Sequence, residues 1–450
     1  MNIFSKTESF LLFLGDIVLF AVSLMLALLI RGGDEALWNS YRLYILPFAI
    51  IFAIWILVFF IAGLYDKYTT ILKDKISSTV WNAEIANFAI AIAFFYLIPY
   101  FGIAPKTILF IDLIITSILI YGWRMWSHRL FGMKRKEPAI IVGSGDDMHA
   151  LEREVNDNPR SELSFVSSIN LDRAEGIDFV KEIADRVYAE HIGIIVIDLA
   201  DARVVPILPH LYNLLFSGAR FIDMYQVYED VFDREPLSIV RYDWFLETLS
   251  SSPKFAYDTL KRFFDIVVGL IAGTVSLVFY PFIFIILLSD EGRGFFSIQE
   301  RVGRNNKPIK LFKFRTMKVA NDAGNWNAGE KNYVTKIGAF LRKTRLDELP
   351  QLWNVVLGDI SLIGPRPEFA KAVATYEREV PYYAVRHLIK PGLSGWAQIY
   401  HDNHPHHGIG VEETKEKLSY DLFYIKNRSI MLDIQIALKT IAKLLSIAGK

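Results

Sequence analysis

The residues whose types and spacing could do chemistry lie in the last third of the 450-residue chain. Four strings there are dense in charged residues, glycine and proline: Gln299–Gly303 with Lys313–Met317, Leu341–Asn354, Gly358–Glu368, and Lys390–Gln398. An acidic pair, Asp347 and Glu348, stands among several cations in these strings. Metal-assisted phosphoryl transfer needs such an arrangement, because carboxylates hold the metal and cations neutralise phosphate oxygens. The strings therefore predict a phosphoryl-transfer site.

The acidic pair is predicted to lie at the start of a helix. Asp347 fits the N-cap of a helix that runs to about Leu357, with Glu348 and Pro350 in its first turn. Backbone N–H groups would hold the Asp347 carboxylate there, and the positive end of the helix dipole favours anions. Taken alone, Asp347 also fits an ordinary helix cap.

The cations are expected to come from two other places in the chain. Arg366 stands between Pro365 and Pro367, so its backbone is restricted and its planar fork can be presented to phosphate. Lys313 and Arg315 are two residues apart on a predicted strand and point to the same face. Singly, these cations also fit a loop salt bridge or a solvated strand edge. Their clustering with the acidic pair favours a site.

An apolar segment, Phe263–Leu288, precedes the strings and carries one charged residue, Asp265. Pro281 lies past its middle, where it removes a backbone donor and clashes with the preceding turn. A helix broken there can enter and leave a membrane by the same face, with Asp265 near Lys261 and Arg262 at the interface. The residues alone leave this re-entrant path and a simple span both open.

Together these strings resemble the bacterial sugar transferase family, the polyprenyl-phosphate glycosyl-1-phosphate transferases with one re-entrant membrane helix. The resemblance covers about Lys261 to Lys450, and the preceding segments resemble long-form members that initiate exopolysaccharide or O-antigen repeat units. It implies a re-entrant helix broken at Pro281 and a catalytic domain that faces the cytoplasm at the bacterial inner membrane. The family has Ser-Pro at the break, whereas this chain has Tyr280-Pro281.

The resemblance also implies a reaction. Asp347 and Glu348 match the family's catalytic pair, and Asp347 would attack the sugar-bearing phosphate of a UDP-sugar and release UMP. Undecaprenyl phosphate would then take the hexose-1-phosphate from the aspartyl adduct. Mg²⁺ is the implied cofactor, with Asp347 and Glu348 as its ligands. The donor is implied to be a hexose such as glucose or galactose.

Six further residues match substrate-binding positions of the family: Lys313, Arg342, Arg366 and Asp433, with Arg315 and Arg301 as weaker matches. The chain departs from the family pattern at three further places, which are Arg345 beside the acidic pair, Asn332 with Tyr333, and His401–His407. Histidine suits zinc or nickel, so a metal site and a variable polar loop are both open for the last of these.

Four apolar runs in the N-terminal third are each about long enough to cross a membrane as a helix: Phe10–Ile30, Leu43–Leu64, Ile85–Phe101 and Ile108–Trp126. The first is too long for a signal-peptide core, so we expect it in the mature protein. With the N-terminus inside, nine cations would be cytoplasmic, which are Lys6, Lys67, Lys73, Lys75, Arg124, Arg129, Lys134, Arg135 and Lys136. Three would be outside, which are Arg31, Arg42 and Lys106. This asymmetry places both ends of the bundle in the cytoplasm.

Two carboxylates lie inside these runs, at Asp16 and Asp112. A charged group in a membrane is costly, so each is a candidate for a proton or substrate path. The alternative is that both lie near the cytoplasmic ends of their helices or pair within the bundle.

Between the bundle and the apolar segment, the sequence predicts a small parallel α/β segment. Strands are expected at Pro138–Val142, His191–Ile197 and Arg220–Met224, with a helix from Asp147. The turn Gly143-Ser-Gly145 could place a diphosphate on a helix N-terminus. Two facts weaken that interpretation: Met148 stands at the third glycine position, and Asp146 and Asp147 lie where phosphate would approach. Nucleotide binding and a structural or regulatory role both stay open.

Composition limits the class of protein. The chain has 49 Lys+Arg and 49 Asp+Glu, so its zero net charge gives no case for nucleic-acid binding. It has no cysteine, which excludes disulfides, thiolate metal sites and cysteine nucleophiles. We expect a membrane protein with a four-helix transmembrane bundle (1–132), a Rossmann- or flavodoxin-like cytoplasmic domain (133–250), a re-entrant helix (251–289) and an α/β-containing catalytic domain (290–450).

Two other classes of protein remain as alternatives. A membrane-bound nucleotide-sugar dehydratase would share the bundle and the α/β segment, and Tyr257 and Lys261 have its Tyr-x-x-x-Lys spacing, but no extended dinucleotide fingerprint precedes them. A non-catalytic scaffold for polysaccharide assembly is the other alternative, and the intact acidic pair and cations argue against it.

Two features near the surface stay as expectations. A homodimer formed through the middle domain is implied by the resemblance alone. In the C-terminal stretch, Ile434, Leu438, Ile441 and Leu445 form one stripe with Lys439 and Lys443 beside it. That stripe fits either an interfacial helix on anionic lipid or packing against the domain core.

Overall fold

The structure is a computed structural model. It describes residues 6–65, 73–97, 106–131, 136–158, 161–173, 179–189, 192–199, 201–238, 240–250, 254–289, 294–317, 334–400 and 410–448. The chain forms two compact units, an N-terminal unit of residues 1–232 and a C-terminal unit of residues 233–450. His401–His407, Asn332 and Tyr333, on which the sequence left questions open, lie outside the described residues.

The N-terminal unit begins with the helices α1 (Lys6–Ile61), α2 (Lys73–Leu97) and α3 (Lys106–Phe131). They contain four segments long and apolar enough to cross a membrane: Glu8–Arg31, Leu43–Ile61, Ser77–Leu97 and Thr107–Ser127. The four predicted runs are thereby confirmed as candidate spans. The third begins at Ser77 and not at Ile85, and it includes Glu84, which is buried in the bundle.

Helix α1 is helical through the region where the sequence predicts an outer loop. In a straight helix, Phe20 and Phe59 would lie about 58 Å apart. Their ring centroids are 5.8 Å apart, and Phe20 also stacks on Phe52 at 5.2 Å. The chain therefore folds back between its first two spans, and aromatic side chains pack the resulting helix pair.

The two carboxylates predicted inside the spans both pair within the bundle. Asp16 forms a buried ion pair with Arg124 and accepts a hydrogen bond from the Tyr65 hydroxyl at 2.7 Å. Asp112 accepts from the Ser23 hydroxyl at 2.7 Å. A charged group in an apolar bundle is stabilised by such partners, so these contacts support the pairing interpretation.

The rest of the N-terminal unit is a four-stranded parallel sheet with the order β2-β1-β3-β4. The strands are β1 (Glu137–Gly143), β2 (Leu163–Asn170), β3 (Ile194–Ile197) and β4 (Arg220–Asp223). The connecting helices are α4 (Gly145–Asp157), α5 (Phe179–Ala189), α6 (Leu208–Leu211) and α7 (Met224–Phe232), with 3₁₀ turns at Leu171–Arg173, Val205–Ile207 and Tyr212–Ser217. The predicted parallel α/β architecture is confirmed, and β2 is a strand that the sequence analysis missed.

The C-terminal unit combines a membrane-type segment with a mixed α/β body. Its helices are α8 (Tyr242–Ser250), α9 (Phe255–Ser276), α10 (Tyr280–Leu288), α11 (Lys336–Lys343), α12 (Gln351–Leu357), α13 (Ala370–Glu379), α14 (Trp396–Tyr400), α15 (Val411–Asn427) and α16 (Ile430–Ala448). Its strands are β5 (Phe296–Val302), β6 (Pro308–Phe314), β7 (Ser361–Ile363) and β8 (Gly392–Ser394). Further 3₁₀ turns are Leu277–Phe279, Arg304–Asn306, Leu346–Glu348 and Tyr383–Leu388. Strands β5 and β6 form an antiparallel hairpin, and β7 and β8 pair in parallel.

Helices α9 and α10 form the fifth candidate span, Phe255–Leu288. A 3₁₀ turn at Leu277–Phe279 separates them, and Pro281 follows in the first turn of α10. Proline lacks an N–H group, which the first turn of a helix does not need, so Pro281 favours a new helix start there. The helix interruption predicted at Pro281 therefore occurs just before it.

One face of α9 is small or polar and the others are apolar. Its buried residues are Asp265, Gly269, Gly273 and Ser276, which recur at helical spacing. Most of its large apolar side chains are exposed, including Phe263, Ile271 and Val275. The buried stripe packs on α12, where a side chain at Gly269 would come within 3.3 Å of Val355 and Val356. Small residues thus let α9 and α12 approach closely.

Helix α16 exposes two residues of its predicted apolar stripe, while Leu438 is half-buried and the Leu445 side chain lies outside the described residues. Ile434 and Ile441 are exposed, whereas Ile436 is buried in a cluster with Trp396 and Tyr424. The helix therefore packs on the domain core through the face that carries Ile436, and the exposed residues of the stripe do not contribute to that core. This arrangement favours the interfacial alternative over packing of that stripe on the core.

Candidate active site

The acidic pair lies in a 3₁₀ turn that precedes α12. Arg345 adopts a left-handed conformation at φ 58°, and the turn Leu346–Glu348 follows it directly. Helix α12 begins only at Gln351, after Pro350, and ends at Leu357 as predicted. The prediction that Asp347 is the N-cap of this helix is therefore wrong, because the reversal at Arg345 starts a separate turn that contains Asp347.

Glu348 is surrounded by cations. Lys313 Nζ donates to Glu348 Oε1 at 2.8 Å, and Arg366 Nη2 donates to the same oxygen at 3.1 Å. Arg345 Nη1 lies 3.5 Å from the other carboxylate oxygen. Burial would raise the pKa of Glu348, but Lys313 and Arg366 hold it well below its usual range. Glu348 is therefore ionised at neutral pH, with its charge compensated on both oxygens.

Asp347 has a different environment from its neighbour. Its side chain is buried, and its Oδ1 atom has no hydrogen-bond partner among the residues that the structure describes. Burial, followed by the Glu348 charge, raises the pKa of Asp347 to about 6, against the lowering effect of Lys313 and Arg342. At neutral pH Asp347 is therefore mostly an ionised carboxylate with an uncommitted oxygen, which is what a nucleophile or a metal ligand requires.

A fourth cation, Arg342, lies on the last turn of α11. Its Nε donates to the Thr316 hydroxyl at 2.9 Å. Burial lowers the pKa of Arg342, and Asp347 and Glu348 act in the opposite direction. The structure thus brings four cations to the two carboxylates: Lys313, Arg342, Arg345 and Arg366. Because cations exceed carboxylates by two, the site favours an anionic ligand.

A pocket beside the pair is lined by cations and by one buried amide. Its lining residues are Arg301, Leu311, Lys313, Gln351, Arg366, Pro367, Gly392 and Leu393. The Nε2 atom of Gln351 is buried and has no hydrogen-bond partner within the described part of the chain. Sequence reasoning assigned no role to Gln351, although it stands three residues after Glu348.

Arg301 lines this pocket but is mostly committed to the protein. Its Nη2 donates to Gln299 at 2.9 Å, its Nη1 donates to the Pro367 carbonyl at 3.2 Å, and its guanidinium lies 3.3 Å from the centre of the Phe369 ring. Burial lowers the pKa of Arg301 to about 10. These contacts fit a residue that orders the loop at Pro367 more than one that binds substrate.

Two other predicted site residues have contacts away from the acidic pair. Arg315 follows the end of β6 and donates to the Leu287 carbonyl at the end of α10, at 3.4 Å. Asp433 lies at the start of α16 and accepts from Tyr424 at 2.7 Å, from Lys261 at 2.8 Å and from Tyr257 at 2.9 Å. Asp433 thereby ties α16 and α15 to the first turns of α9.

Helix α9 forms hydrogen bonds with the last turn of α12 and with strand β7. Arg262 donates to the carbonyls of Val355 and Val356 at 2.7 and 2.8 Å, which satisfies acceptors in the last turn of α12. Asp265 accepts from the Ser361 hydroxyl at 3.0 Å and from the Leu362 N–H at 2.9 Å. The membrane-type helix therefore fixes the element that follows Asp347 and Glu348.

The predicted diphosphate turn in the N-terminal unit is occupied by the chain itself. The Gly145 N–H at the start of α4 donates to Asp172 Oδ2 at 3.1 Å. Arg203 binds Asp172 at 3.0 Å, Ser144 at 3.0 Å and Asp201 at 2.7 Å. A carboxylate thus takes the position that a phosphate would need, which supports the structural role over nucleotide binding.

These features, a buried acidic pair among cations in a turn before α12, and the packing of α12 against a broken membrane-type helix, define a site of the phosphoryl-transfer type. The chain belongs to the bacterial sugar transferase family, whose family model matches residues 256–447.

The chain is similar to three curated proteins in particular. It is 39% identical over 204 residues to the UDP-N-acetylgalactosamine-undecaprenyl-phosphate N-acetylgalactosaminephosphotransferase of Aeromonas hydrophila, covering 45% of this chain and 47% of that protein. It is 40% identical over 187 residues to the UDP-glucose:undecaprenyl-phosphate glucose-1-phosphate transferase of Escherichia coli, covering 41% of this chain and 40% of that protein. It is 35% identical over 190 residues to the uncharacterized sugar transferase EpsL of Bacillus subtilis, covering 42% of this chain and 89% of that protein. The chain thus spans less than half the length of the first two relatives.

Proposed function

We propose that the protein transfers a hexose-1-phosphate from a UDP-sugar to undecaprenyl phosphate and releases UMP. One observation carries the proposal: Glu348 is neutralised by Lys313 and Arg366, while Oδ1 of the adjacent Asp347 has no hydrogen-bond partner among the described residues. Relatives whose names specify a UDP-sugar and undecaprenyl phosphate support these two substrate classes. Exopolysaccharide, O-antigen or capsule assembly is the proposed context, since such a transfer forms the first lipid-linked sugar.

In the proposed first step, a carboxylate oxygen of Asp347 attacks the phosphorus that bears the sugar. The bond from this phosphorus to the oxygen of UMP breaks, and its electron pair leaves with UMP. An acyl-phosphate adduct of the hexose remains on Asp347. A pKa of about 6 supports this role, because Asp347 is mostly ionised at neutral pH yet remains more basic than an ordinary aspartate.

In the second step, a phosphate oxygen of undecaprenyl phosphate attacks the same phosphorus. The bond to the Asp347 oxygen breaks, its electron pair returns to the carboxylate, and undecaprenyl-diphosphate-hexose leaves. Lys313, Arg342 and Arg366 stabilise the negative charge on the phosphate oxygens in both steps. Glu348 keeps Lys313 and Arg366 in place before a substrate arrives.

Mg²⁺ is the proposed cofactor, and the residues present fit an ion that is held partly by the protein and partly by the substrate. No group of three or more His, Asp or Glu residues that could hold a metal occurs within the described part of the chain. Mg²⁺ is commonly held by one or two carboxylates together with substrate phosphates. Asp347, whose Oδ1 has no partner among the residues described, and Glu348 are therefore the residues that would hold it. When bound, it would neutralise charge on the phosphates.

We propose that Phe255–Leu288 is re-entrant and that the site faces the cytoplasm at the bacterial inner membrane. Lys261 and Arg262, near the start of this segment, contact Asp433 and the end of α12. Leu287, at its end, packs with Phe314 and Leu341 of the same unit. A straight helix of this length would separate its ends by about 50 Å, so contacts from both ends to one compact unit support a reversal at Leu277–Phe279.

Further parts of the proposal concern organisation. The chain is proposed to consist of a bundle, a middle α/β domain, a re-entrant helix and a catalytic domain. The residues that carry out the reaction are proposed to lie after residue 250. The face of α16 that exposes Ile434 and Ile441 is proposed to rest on the lipid bilayer. A homodimer is proposed as the assembled form, and the mass of the detergent-solubilised protein by light scattering tests it.

The dehydratase alternative receives no support from its Tyr-x-x-x-Lys spacing. Tyr257 and Lys261 both bind Asp433, and both lie on a helix that packs against α12. A non-catalytic scaffold does not require a buried carboxylate in a cationic site whose Oδ1 has no partner among the described residues, and a direct assay decides this point.

The experiment is UMP release by the purified full-length protein with Mg²⁺ and undecaprenyl phosphate. The donor panel contains UDP-glucose, UDP-galactose, UDP-N-acetylglucosamine and UDP-N-acetylgalactosamine, because the relatives' names include both glucose and N-acetylgalactosamine. Release with one donor that requires undecaprenyl phosphate for turnover supports the proposal and names the sugar. Failure with every donor, in protein that is folded and lipid-reconstituted, would refute it.

A further inference from the structure

The loop that presents Arg366 is held at every carbonyl. The Pro365 carbonyl accepts from the Gly392 N–H at 2.9 Å, and the Glu368 carbonyl accepts from the Val302 N–H at 2.9 Å. Between them, the Pro367 carbonyl accepts from Arg301. The fourth carbonyl, that of Arg366 itself, accepts from Arg386 Nη2 at 2.9 Å. Two prolines already restrict the backbone here, so these four bonds leave the loop little freedom.

Arg386 is buried and is held by groups that compensate its charge. Its Nη2 lies 2.9 Å from Asp421 Oδ2 on α15, and its Nη1 donates to the Tyr383 hydroxyl. Arg386 and Asp421 are 6% and 2% exposed, so neither is available to a ligand in solution. Because Asp421 neutralises Arg386, the guanidinium adds little field to the site. What it supplies is a fixed donor for the Arg366 carbonyl.

We infer that Arg386 and Asp421 are positioning residues that fix the Arg366 guanidinium at the phosphate-binding site. The inference rests on the proposed function, since it gives Arg366 a phosphate to bind. Arg366 reaches Glu348 by a single bond of 3.1 Å, so a small shift of its backbone would move the fork out of register. Neither positioning residue touches the acidic pair in the contacts described, and both act through the loop.

The position of the Arg386–Asp421 ion pair in the fold explains why a contact away from Asp347 and Glu348 affects the site. Arg386 lies in the 3₁₀ turn Tyr383–Leu388, and Asp421 lies in the middle of α15. Buried charge pairs are costly unless each partner is satisfied, so replacing one partner leaves the other uncompensated. Asp421→Asn would therefore loosen Arg386, and with it the Arg366 carbonyl. A sensitive conservative variant at Arg386 is Arg386→Lys, which keeps the charge but cannot reach three acceptors with the same planar geometry.

The test is a double-mutant cycle between Arg386 and Arg366. Arg386→Lys is expected to raise KM for the UDP-sugar about tenfold with a smaller effect on kcat, since ligand alignment is lost. In the background of Arg366→Lys, which has no fork to align, the same change should alter KM less than about twofold. Arg378→Lys, an exposed arginine on α13, serves as a control and should leave KM unchanged. Multiplicative effects of the two changes would overturn the inference.

Stability and binding measurements keep the inference testable in every case. If Arg386→Lys fails to fold, Tyr383→Phe removes one acceptor of Arg386 and is expected to show the same dependence on Arg366 with a smaller size. The cycle is also measured as the affinity of full-length protein for UDP by calorimetry, which needs no turnover. Coupling in UDP affinity without UMP release would support the positioning role while refuting the proposed reaction. UMP release without coupling would refute the positioning role alone.

Discussion

Two regions of this protein combine similar residue types with opposite results. We call the turn after β1, around Gly145, the first crevice, and the surroundings of Asp347 and Glu348 the second crevice. In the N-terminal unit, the turn after β1 offers an N–H group at a helix start, and Asp172 accepts it while Arg203 binds Asp172 in turn. In the C-terminal unit, Glu348 binds Lys313 and Arg366, but Oδ1 of the neighbouring Asp347 has no partner in the part of the chain that the structure describes. The charged groups of the first crevice pair with each other. The second crevice has more cations than carboxylates and a carboxylate lone pair that a ligand could use.

This comparison shows that a glycine-rich turn and a helix N-terminus do not make an anion site by themselves. The deciding quantity is the balance of donors and acceptors that the chain leaves unpaired. Around Asp347 and Glu348 the cations exceed the carboxylates by two. Around Gly145, Arg203 is divided between Asp172 and Asp201.

The largest expected effect is at Asp347. Asp347→Asn keeps the shape of the side chain but removes the nucleophilic carboxylate, so UMP release should fall by at least about 10³-fold. The matched control is Asp146→Asn, an exposed acid of the other crevice, which should leave the rate unchanged. Equal rates for wild type and Asp347→Asn would show that the two crevices do not differ in the way described.

A smaller effect is expected at Lys313. Lys313→Met removes the charge that neutralises Glu348 while keeping most of the apolar stem, so kcat should fall about 10²-fold. Initial rates at saturating donor measure this. A kcat for Lys313→Met within twofold of the wild-type value would contradict the role assigned to Lys313.

Arg203→Gln breaks the ion pairs of the first crevice without touching the second. Its side chain is 42% exposed, and exposed ion pairs contribute only about 0–1 kcal/mol. We expect UMP release to change less than about twofold and the melting temperature to fall by about 2–4 °C at most. A large loss of UMP release would show that the first crevice takes part in the reaction.

The smallest effect concerns a second carboxyl with a raised pKa. Burial, and then the charge of Asp198, raises the pKa of Asp223 from 3.8 to about 6. The folded protein therefore binds this proton more tightly than the unfolded chain, and the stability from protonated Asp223 is full below about pH 4 and lost as pH rises through about 6. Asp223→Asn should remove this dependence and raise the melting temperature at pH 8 by about 2 °C, measured by scanning fluorimetry. An unchanged pH profile would contradict the burial argument.

Local features of the candidate active site were predictable from the sequence, and those set by tertiary packing were not. The strings around Asp347 and Arg366 are contiguous, and both residues were found because turns, prolines and charges stand together. The helix cap was predicted wrongly because the left-handed Arg345 gives no sequence signal. Strand β2 was missed because its alternating pattern contains serines on both faces.

Buried charged residues were the hardest to predict. Glu84, Arg386 and Asp421 look like surface residues in the sequence, and only packing shows that they are enclosed. Asp433 was assigned to substrate binding by resemblance, and its contacts with Tyr257, Lys261 and Tyr424 show a link between helices that spacing alone could not reveal. A residue's partners across the fold decide its role in such cases.

The most direct test of the account is an exchange experiment without the lipid acceptor. Purified protein is incubated with Mg²⁺, the preferred UDP-sugar and isotopically labelled UMP, in the absence of undecaprenyl phosphate. If Asp347 forms an acyl-phosphate adduct, label should appear in the UDP-sugar, and Asp347→Asn should abolish this exchange. Transfer to undecaprenyl phosphate that proceeds at full rate in wild type without any exchange would contradict the account, because the acceptor would then attack the UDP-sugar directly.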